Sequence, residues 1–214
     1  IMTQKLKDLK DLEDNKYNKL TETQKEEVAV KFIEERPVEG FVDIDELRIK
    51  LLDVINKYEK LLDDINKANN VSAMVPALIN ISYVDFNDLG LVKKQEIASI
   101  FIENKGTDNY GSLNEIRNAI QVAIKNYNTL LNNVNTASEV EVMVQALEAI
   151  GHKNYNELTD KQKEEVAKIF IFDKESFENL ISIMNLLDNI VDEYIRLLVD
   201  INNSNTIEGL KINI

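Results

Sequence analysis

Few residues in this 214-residue chain could support metal or nucleophile chemistry. His152 is the only histidine, and the chain contains no cysteine. Typical zinc sites combine several Cys, His or carboxylate ligands, and thiolate nucleophiles and disulfides require cysteine. A typical zinc site, a cysteine nucleophile and a disulfide are therefore excluded. We interpret His152, which follows Gly151, as a lone residue of a surface loop.

Acidic side chains are abundant, and two clusters of them raise the question of calcium. They are "DIDE", which begins at Asp43, and "DDIN", which begins at Asp63. Neither has the alternating acidic residues and the glycine of an EF-hand loop, so we interpret both as helix caps and exposed faces. The phosphate-binding, dinucleotide-binding and serine-hydrolase motifs are also missing. The sequence therefore predicts a protein that is not an enzyme, with no catalytic residue, cofactor or metal site.

The overall composition narrows the possible partners. The chain has 25 basic and 38 acidic residues, and its net charge of −13 would repel nucleic acid and anionic lipid surfaces. No apolar run is long enough to cross a bilayer, so we expect neither membrane insertion nor binding to nucleic acid. Two prolines and six glycines favour long helices over many short strands. The first residue is Ile1, which we interpret as the mark of a piece of a longer protein.

One sequence pattern occurs three times at equal intervals. It reads "YNKLTETQKEEVAVKFI" from Tyr17, "FNDLGLVKKQEIASIFI" from Phe86 and "YNELTDKQKEEVAKIFI" from Tyr155. An interval that is the same between both pairs of copies is the signature of a tandem repeat. The third repeat is two residues shorter, because five residues separate Ile171 from Phe177 where the earlier repeats have seven. We predict tandem units over 1–69, which is truncated at its N-terminus, 70–138 and 139–205, with 206–214 starting a further unit or forming a cap.

Each unit is predicted to contain three helices. The first is short, at Val71–Ile81 and Val140–Ile150, with a truncated relative near Lys5–Leu12. Ser138 and Asn205 have the spacing of N-caps. Pro76 would fall inside its helix if Asn70 is the cap, or close to the first turn if Ser72 is.

The second helix lies within the repeated pattern. Thr21 with Gln24, and Thr159 with Gln162, predict capping boxes, whereas Gly90 replaces the threonine in the second repeat. Apolar residues that share one face predict a core side, and two charged pairs spaced i,i+4, Glu27–Lys31 and Glu164–Lys168, predict surface ion pairs. The asparagine that follows the first aromatic residue of each repeat is expected to bond to nearby backbone, at Asn18, Asn87 and Asn156.

The third helix is the longest and carries an apolar seam with steps of three and four residues. Ser112 with Glu115 predicts a further capping box before this helix, and Asp43 and Asn179 stand at the equivalent positions. A second apolar position beside the seam widens it enough to pack against two helices. The predicted fold is therefore all-α, a tandem array of three units of about 69 residues, each with three helices. The seam residues are Ile44, Leu47, Leu51, Val54, Tyr58, Leu61 and Ile65; Leu113, Ile116, Ile120, Ala123, Tyr127, Leu130 and Val134; and Leu180, Ile183, Leu187, Ile190, Tyr194, Leu197 and Ile201.

The complete unit resembles the helical repeats of S-layer-associated and other large modular surface proteins of Gram-positive bacteria. The residues that carry this resemblance are Tyr155, Asn156, Leu158, Thr159, Gln162, Lys163, Val166 and Ala167; the second repeat departs from the pattern at Phe86, Gly90 and Gln95. A shorter stretch, Tyr194 to Lys211, is similar to the helix-turn-helix part of albumin-binding three-helix modules. The first resemblance implies an extracellular, cell-surface location and a spacer or assembly role. The second implies capture of a host protein.

From these features we expect a non-catalytic helical-repeat segment of a larger bacterial surface protein, which acts as a structural spacer or assembly module. Its partners would be neighbouring domains of the same polypeptide, with another surface or host protein as a partner if the chain is a binding module. Two alternatives stay open: a protein-binding module for adhesion or host-protein capture, and an accessory region of a secreted carbohydrate-active enzyme.

Overall fold

A computed structural model describes residues 16–204, which form eleven helices and no strand. The predicted short helix near Lys5–Leu12, the cap at Asn205 and the segment 206–214 lie outside the described residues. The helices are α1 Lys16–Lys19, α2 Glu22–Glu34, α3 Ile44–Lys67, α4 Val71–Asn80, α5 Val84–Asn87, α6 Leu91–Lys105, α7 Leu113–Thr136, α8 Val140–Ile150, α9 Lys153–Asn156, α10 Asp160–Asp173 and α11 Leu180–Asn203.

The chain divides into two compact units, with the division between Ile124 and Lys125. In the first unit α3 packs against α1, α2 and α4, and α4 also packs against α5 and α6. In the second unit α8 and α11 both pack against α9 and α10. The all-helical class is confirmed. The predicted boundaries after residues 69 and 138 stay a prediction.

The three long helices are each 24 residues, and their apolar seams form much of the two cores. Two seam residues at the outer ends of the described helices depart from this pattern. Ile44, the first seam residue of α3, is 44% exposed, and Ile201, the last of α11, is 46% exposed. The polar faces opposite the seams lie in solvent, as the seam spacing predicts.

The starts of the longer helices agree with the predicted caps. Both capping boxes form, since Thr21 and Thr159 accept from the amides of Gln24 and Gln162 and the glutamine side chains accept in return. Gly90 provides no side-chain cap to α6, as expected. The predicted caps of the three long helices also form, at Asp43, Ser112 and Asn179. The capping box of Ser112 with Glu115 forms only in part, because the Glu115 carboxylate accepts from the amide of Gly111 and not from that of Ser112.

The structure shows which of the two candidate residues caps α4, and it corrects the predicted cap of α8. Asn70 caps α4 by accepting from the Ala73 amide at 3.0 Å, so the cap at Ser72 does not apply and Pro76 lies inside the helix. The prediction of Ser138 as the cap of α8 is wrong. The cap is Glu139, because the helix begins one residue later than the spacing suggests, and its side chain makes no capping bond.

The predicted asparagine bonds form in two of the three repeats. Asn87 donates to the carbonyl of Ile79 at 3.2 Å, and Asn156 donates to the carbonyl of Glu148 at 3.4 Å. In both repeats the bond joins the start of the repeated pattern to the end of the short helix before it.

Both predicted i,i+4 ion pairs were wrong. Lys168 instead pairs with Glu165 at 2.9 Å, one residue closer in sequence. Lys31 pairs with Glu34 at 3.1 Å, because the carboxylate of Glu27 is held by other donors that are described below.

Candidate functional site

The most elaborate polar arrangement in the first compact unit lies at the C-terminal end of α3. Asn66 makes two bonds with the main chain of Tyr110: its amide donates to the carbonyl at 3.0 Å and its oxygen accepts from the N–H at 2.9 Å. Lys105 donates to the carbonyls of Ile65 and Asn66 at 3.0 and 2.6 Å. The last carbonyls of a helix lack partners within the helix and carry partial negative charge, so an ammonium group satisfies both needs. We call Ile65, Asn66, Lys105 and Tyr110 the first helix-end cluster.

The second compact unit contains the same arrangement at the C-terminal end of α7. Asn135 pairs with the main chain of Phe177 through two bonds of 2.9 Å. Lys174 donates to the carbonyls of Val134 and Asn135 at 2.9 and 3.2 Å, and also to that of Ala137. We call Val134, Asn135, Lys174 and Phe177 the second helix-end cluster. The same chemistry therefore occurs twice, in successive repeats of the sequence.

Burial affects the two lysines in the same way. Removal from water lowers the pKa of Lys105 and that of Lys174, because the charged form loses hydration. Each lysine is only partly buried, and its ammonium group points at backbone carbonyls rather than at a carboxylate. This environment suits a structural cation that closes a helix end.

An aromatic pair accompanies each cluster and also occurs in the first repeat. The ring centroids of Phe101 and Tyr110 are 5.5 Å apart, and those of Phe170 and Phe177 are 5.8 Å apart. In the first repeat Phe32 and Phe41 stack at 5.4 Å. Such pairs contribute roughly 1 kcal/mol beyond their buried area. The pair fixes the aromatic residue, and with it the backbone that the asparagine recognises.

Glu27 forms a separate polar centre in the first compact unit. Its carboxylate accepts from the Tyr58 hydroxyl and from the amides of Leu113 and Asn114 at 3.1 and 2.6 Å. A carboxylate at the positive N-terminal end of α7 is favourable, and these amides have no partner within the helix. Burial and the neighbouring carboxylate raise the pKa of Tyr58, so the phenol stays protonated and acts as a donor. Glu27 therefore joins α2 to α3 and α7 rather than pairing with Lys31.

His152 does not lie on a surface loop as expected. It is the N-cap of α9, and its side chain is 10% exposed. Its Nδ1 accepts from the Tyr155 amide at 3.2 Å, and its Nε2 lies 2.8 Å from a carboxylate oxygen of Asp188 on α11. This arrangement corresponds to a tautomer with the proton on Nε2. The histidine joins a helix start to a long helix, which is a structural use of the imidazole.

The acidic residues singled out in the sequence, Asp43 and Asp63, also have structural roles. Asp43 accepts from the amides of Asp45 and Glu46, and Asp63 pairs with Lys67 at 2.7 Å. Between residues 16 and 204 no group of three or more histidine or acidic side chains is placed to hold a metal ion. Asp43 is a helix cap and Asp63 lies on an exposed face, as predicted.

A groove of about 870 Å³ lies in the first compact unit. Its walls come from α2, α3, the end of α4 and the start of α7. Tyr58 and Ile81 form an apolar floor, Val30 on the rim is 57% exposed, and acidic and basic side chains surround them. The mixture of an apolar floor and paired charges is suited to a protein surface more than to a small charged substrate.

Comparison with protein families, with curated proteins and with solved structures finds no match to this chain. Among the described residues, no helix is long and apolar enough to cross a membrane.

The two helix-end clusters and the polar centre at Glu27 were not predicted from the sequence. A signal for the clusters existed in the repeat itself. An asparagine follows the last seam residue of each long helix, at Asn66, Asn135 and Asn202, and a cation recurs at equal intervals as Arg36, Lys105 and Lys174. Polar residues that recur beside an apolar seam can be recognised before a structure is known, whereas the choice of Glu27 over Lys31 depends on packing.

Proposed function

We propose that the chain is a non-catalytic helical-repeat segment of a larger bacterial cell-surface protein, which serves as a structural spacer or assembly module outside the cell. In this proposal the described residues belong to a tandem array of three-helix units with a period of about 69 residues. The recurrence of the helix-end cluster supports it most directly. Bonds of the same kind link the end of a long helix to the following repeat in both compact units.

The use made of the reactive side chains also supports a structural role. His152, Glu27, Lys105 and Lys174, which chemistry could use elsewhere, all bind helix ends or neighbouring helices. An active site needs several such groups together in a cleft where a substrate can bind, and of these four side chains only Glu27 lines the groove described above. The resemblance of the repeat to surface-protein repeats supports the location.

A deletion of one sequence period tests the array. Removal of residues 70–138 joins Asn69 to Glu139 and leaves Asn66 in register with Lys174 and Phe177. We expect a helical protein that unfolds cooperatively at a lower urea concentration, because repeat arrays lose stability with each unit removed. Circular dichroism during urea unfolding measures this. Removal of residues 70–124, which breaks the register, is the control, and equal behaviour of the two deletions would contradict the array.

A binding experiment tests the spacer role. The chain is immobilised and exposed to serum proteins and to cell-wall extract from Gram-positive bacteria. A spacer shows no saturable binding of a single component. Specific, saturable binding would instead favour the second candidate, a protein-binding module.

The groove with exposed Val30 is the observation that favours this second candidate. If it binds a protein, Val30→Asp should abolish the saturable signal, because a charge would replace an apolar contact at the rim. Val199→Asp, in an exposed position of the second compact unit, is the matched control and should leave the signal unchanged.

A further inference from the structure

The three long helices end differently although their sequences match. Ile65 in α3 and Val134 in α7 are fully buried, but Ile201, the equivalent residue of α11, is 46% exposed. The seam tyrosines follow the same trend, because Tyr58 and Tyr127 are buried and Tyr194 is half-buried. The end of α11 therefore presents an apolar surface that is covered at the other two helix ends.

The polar side chain at the end of α11 also differs from its equivalents. Asn66 and Asn135 each make two bonds to an aromatic residue's main chain, whereas the exposed amide of Asn202 makes no hydrogen bond within residues 16–204. The two helix-end clusters are built from these same two features, the last apolar seam residue and the asparagine that follows it. The end of α11 thus has half of a helix-end cluster.

The complementary half lies in the first repeat. Arg36 occupies the position of Lys105 and Lys174, and Phe41 that of Tyr110 and Phe177. Phe41 stacks on Phe32 as its equivalents stack in their repeats, so its main chain is held in a similar setting. In the part of the chain that the structure describes, the guanidinium of Arg36 and the N–H and C=O of Phe41 have no hydrogen-bond partner. Ile44, which follows shortly in sequence, is 44% exposed.

We propose that the end of α11 binds the Arg36–Phe41 segment of a second copy of this chain, head to tail. Asn202 would pair with the main chain of Phe41, and Arg36 would donate to the carbonyls at the end of α11, beginning with that of Ile201. Ile201 would be covered by the incoming repeat as Ile65 and Val134 are. The contact is a third helix-end cluster, formed between two molecules.

Symmetry and charge give this contact two measurable properties. A head-to-tail contact uses different surfaces on its two sides, so it generates a ring if the rotation between neighbours closes and an open series of oligomers if it does not. Each molecule carries a net charge of −13, so the molecules repel one another at low salt. Salt shortens the range of that repulsion, and association should strengthen as ionic strength is raised.

Sedimentation equilibrium of the full chain tests the proposal. We expect the weight-average mass to rise steadily above 24.5 kDa as the concentration is raised from micromolar to millimolar, and to rise further at higher salt. Ile201→Asp and Asn202→Ala should each weaken the association at least tenfold. Their matched controls are Val199→Asp, a similarly exposed residue of the same helix, and Asn203→Ala, its neighbour.

A mixing experiment identifies the two surfaces. The head of the molecule is the Arg36–Phe41 segment, and the tail is the end of α11. Arg36→Glu alters only the head and Ile201→Asp only the tail, so each variant alone should be monomeric. A mixture of the two retains one intact head and one intact tail and should form a dimer that does not extend. Lys161→Glu, a charge reversal of the same sign at an exposed residue of α10, is the control for Arg36→Glu and should assemble like the original chain.

Three outcomes would overturn the proposal: a monomer at every concentration and salt, an association that Arg36→Glu and Ile201→Asp leave unchanged, or a mixture of these two variants that stays monomeric. The proposal rests on the structural role proposed above, but the two fail separately. A monomeric chain that still tolerates the in-register deletion leaves the structural role intact and removes only the self-association.

Discussion

The two helix-end clusters share the bonds of their asparagine and two bonds of their lysine across loops of different length, and Lys174 also donates to Ala137. In the first cluster 44 residues separate Asn66 from Tyr110, and in the second 42 separate Asn135 from Phe177. The lysine lies 39 residues after the asparagine in both, so the missing residues are located between Lys174 and Phe177. The longer loop turns at Gly106 with φ of 60°, and the shorter one leaves Lys174 in extended conformation. The bonds, and not the loop, are the common element.

Substitution of the last seam residue by alanine should give the largest difference in the free energy of unfolding between the helix ends. Ile65→Ala removes a fully buried side chain, and we expect the free energy of unfolding to fall by about 3 kcal/mol. Ile201→Ala at the equivalent, exposed position should cost less than about 1 kcal/mol when the protein is dilute enough for the proposed association to be negligible. Urea unfolding followed by circular dichroism measures both. Equal losses would show that the two helix ends do not differ.

The asparagine should give the next largest effect, and it should be equal in the two clusters. Asn66→Ala and Asn135→Ala each leave an N–H and a C=O of the loop without their partner, at a cost of about 2 kcal/mol. Asn202→Ala, which loses no such bonds, should change the free energy of unfolding by less than about 0.5 kcal/mol. Urea unfolding of the three variants compares them. If the longer loop made Asn66 dispensable, only Asn135→Ala would destabilise.

The loops themselves should differ at one residue. Gly106 has a positive φ, and a Cβ there would meet no atom within 4 Å, so Gly106→Ala adds backbone strain without a clash. We expect it to destabilise by about 1.5 kcal/mol. The shorter loop has no positive-φ residue, and Ser176→Ala there should be nearly neutral. Thermal unfolding of both variants checks this, and a neutral Gly106→Ala would mean that the longer loop has another way to turn.

The smallest effect concerns an ion-pair network in the first repeat, which the two clusters lack. Hydrogen bonding to Lys50, and then to Lys57, lowers the pKa of Glu35 below its ordinary value. This stabilisation is present above the ordinary pKa of 4.5 and is lost as the pH falls through the lowered folded-state value. Glu35→Gln should therefore remove about 0.5 kcal/mol at neutral pH and less at acid pH. Unfolding curves at neutral and at acid pH measure the difference; an equal loss at both would exclude the carboxylate's charge as the cause.

Much of the fold could be predicted from the sequence because its signals are local. The three seams, the capping boxes at Thr21 and Thr159 and the missing cap at Gly90 depend on residues within a few positions of one another. The structure departs from the sequence-based predictions where a side chain has more than one possible partner. Glu27 binds the start of α7 and not Lys31, and His152 caps a helix while it contacts Asp188.

The helix-end clusters could be predicted only in part. Asn66 and Lys105 have equivalents in the next repeat, and that recurrence marks them as important to the architecture. Their partners are backbone groups distant in sequence. Backbone N–H and C=O groups are alike whatever the side chain is, so the sequence does not show which of them is bound. Which carbonyl an ammonium reaches depends on how the helices pack, and this requires the structure.

The sequence separation of Asn66 and Tyr110 also has a consequence for synthesis of the chain. The end of α3 leaves the ribosome 44 residues before the backbone that pairs with Asn66. At roughly 5–20 residues per second, this helix end waits a few seconds for its partner. The ends of α3 and α7 thus emerge unsatisfied, and a later stretch of nascent chain closes each of them. Folding would then advance from the N-terminus in steps set by the sequence period, with only one open helix end at a time.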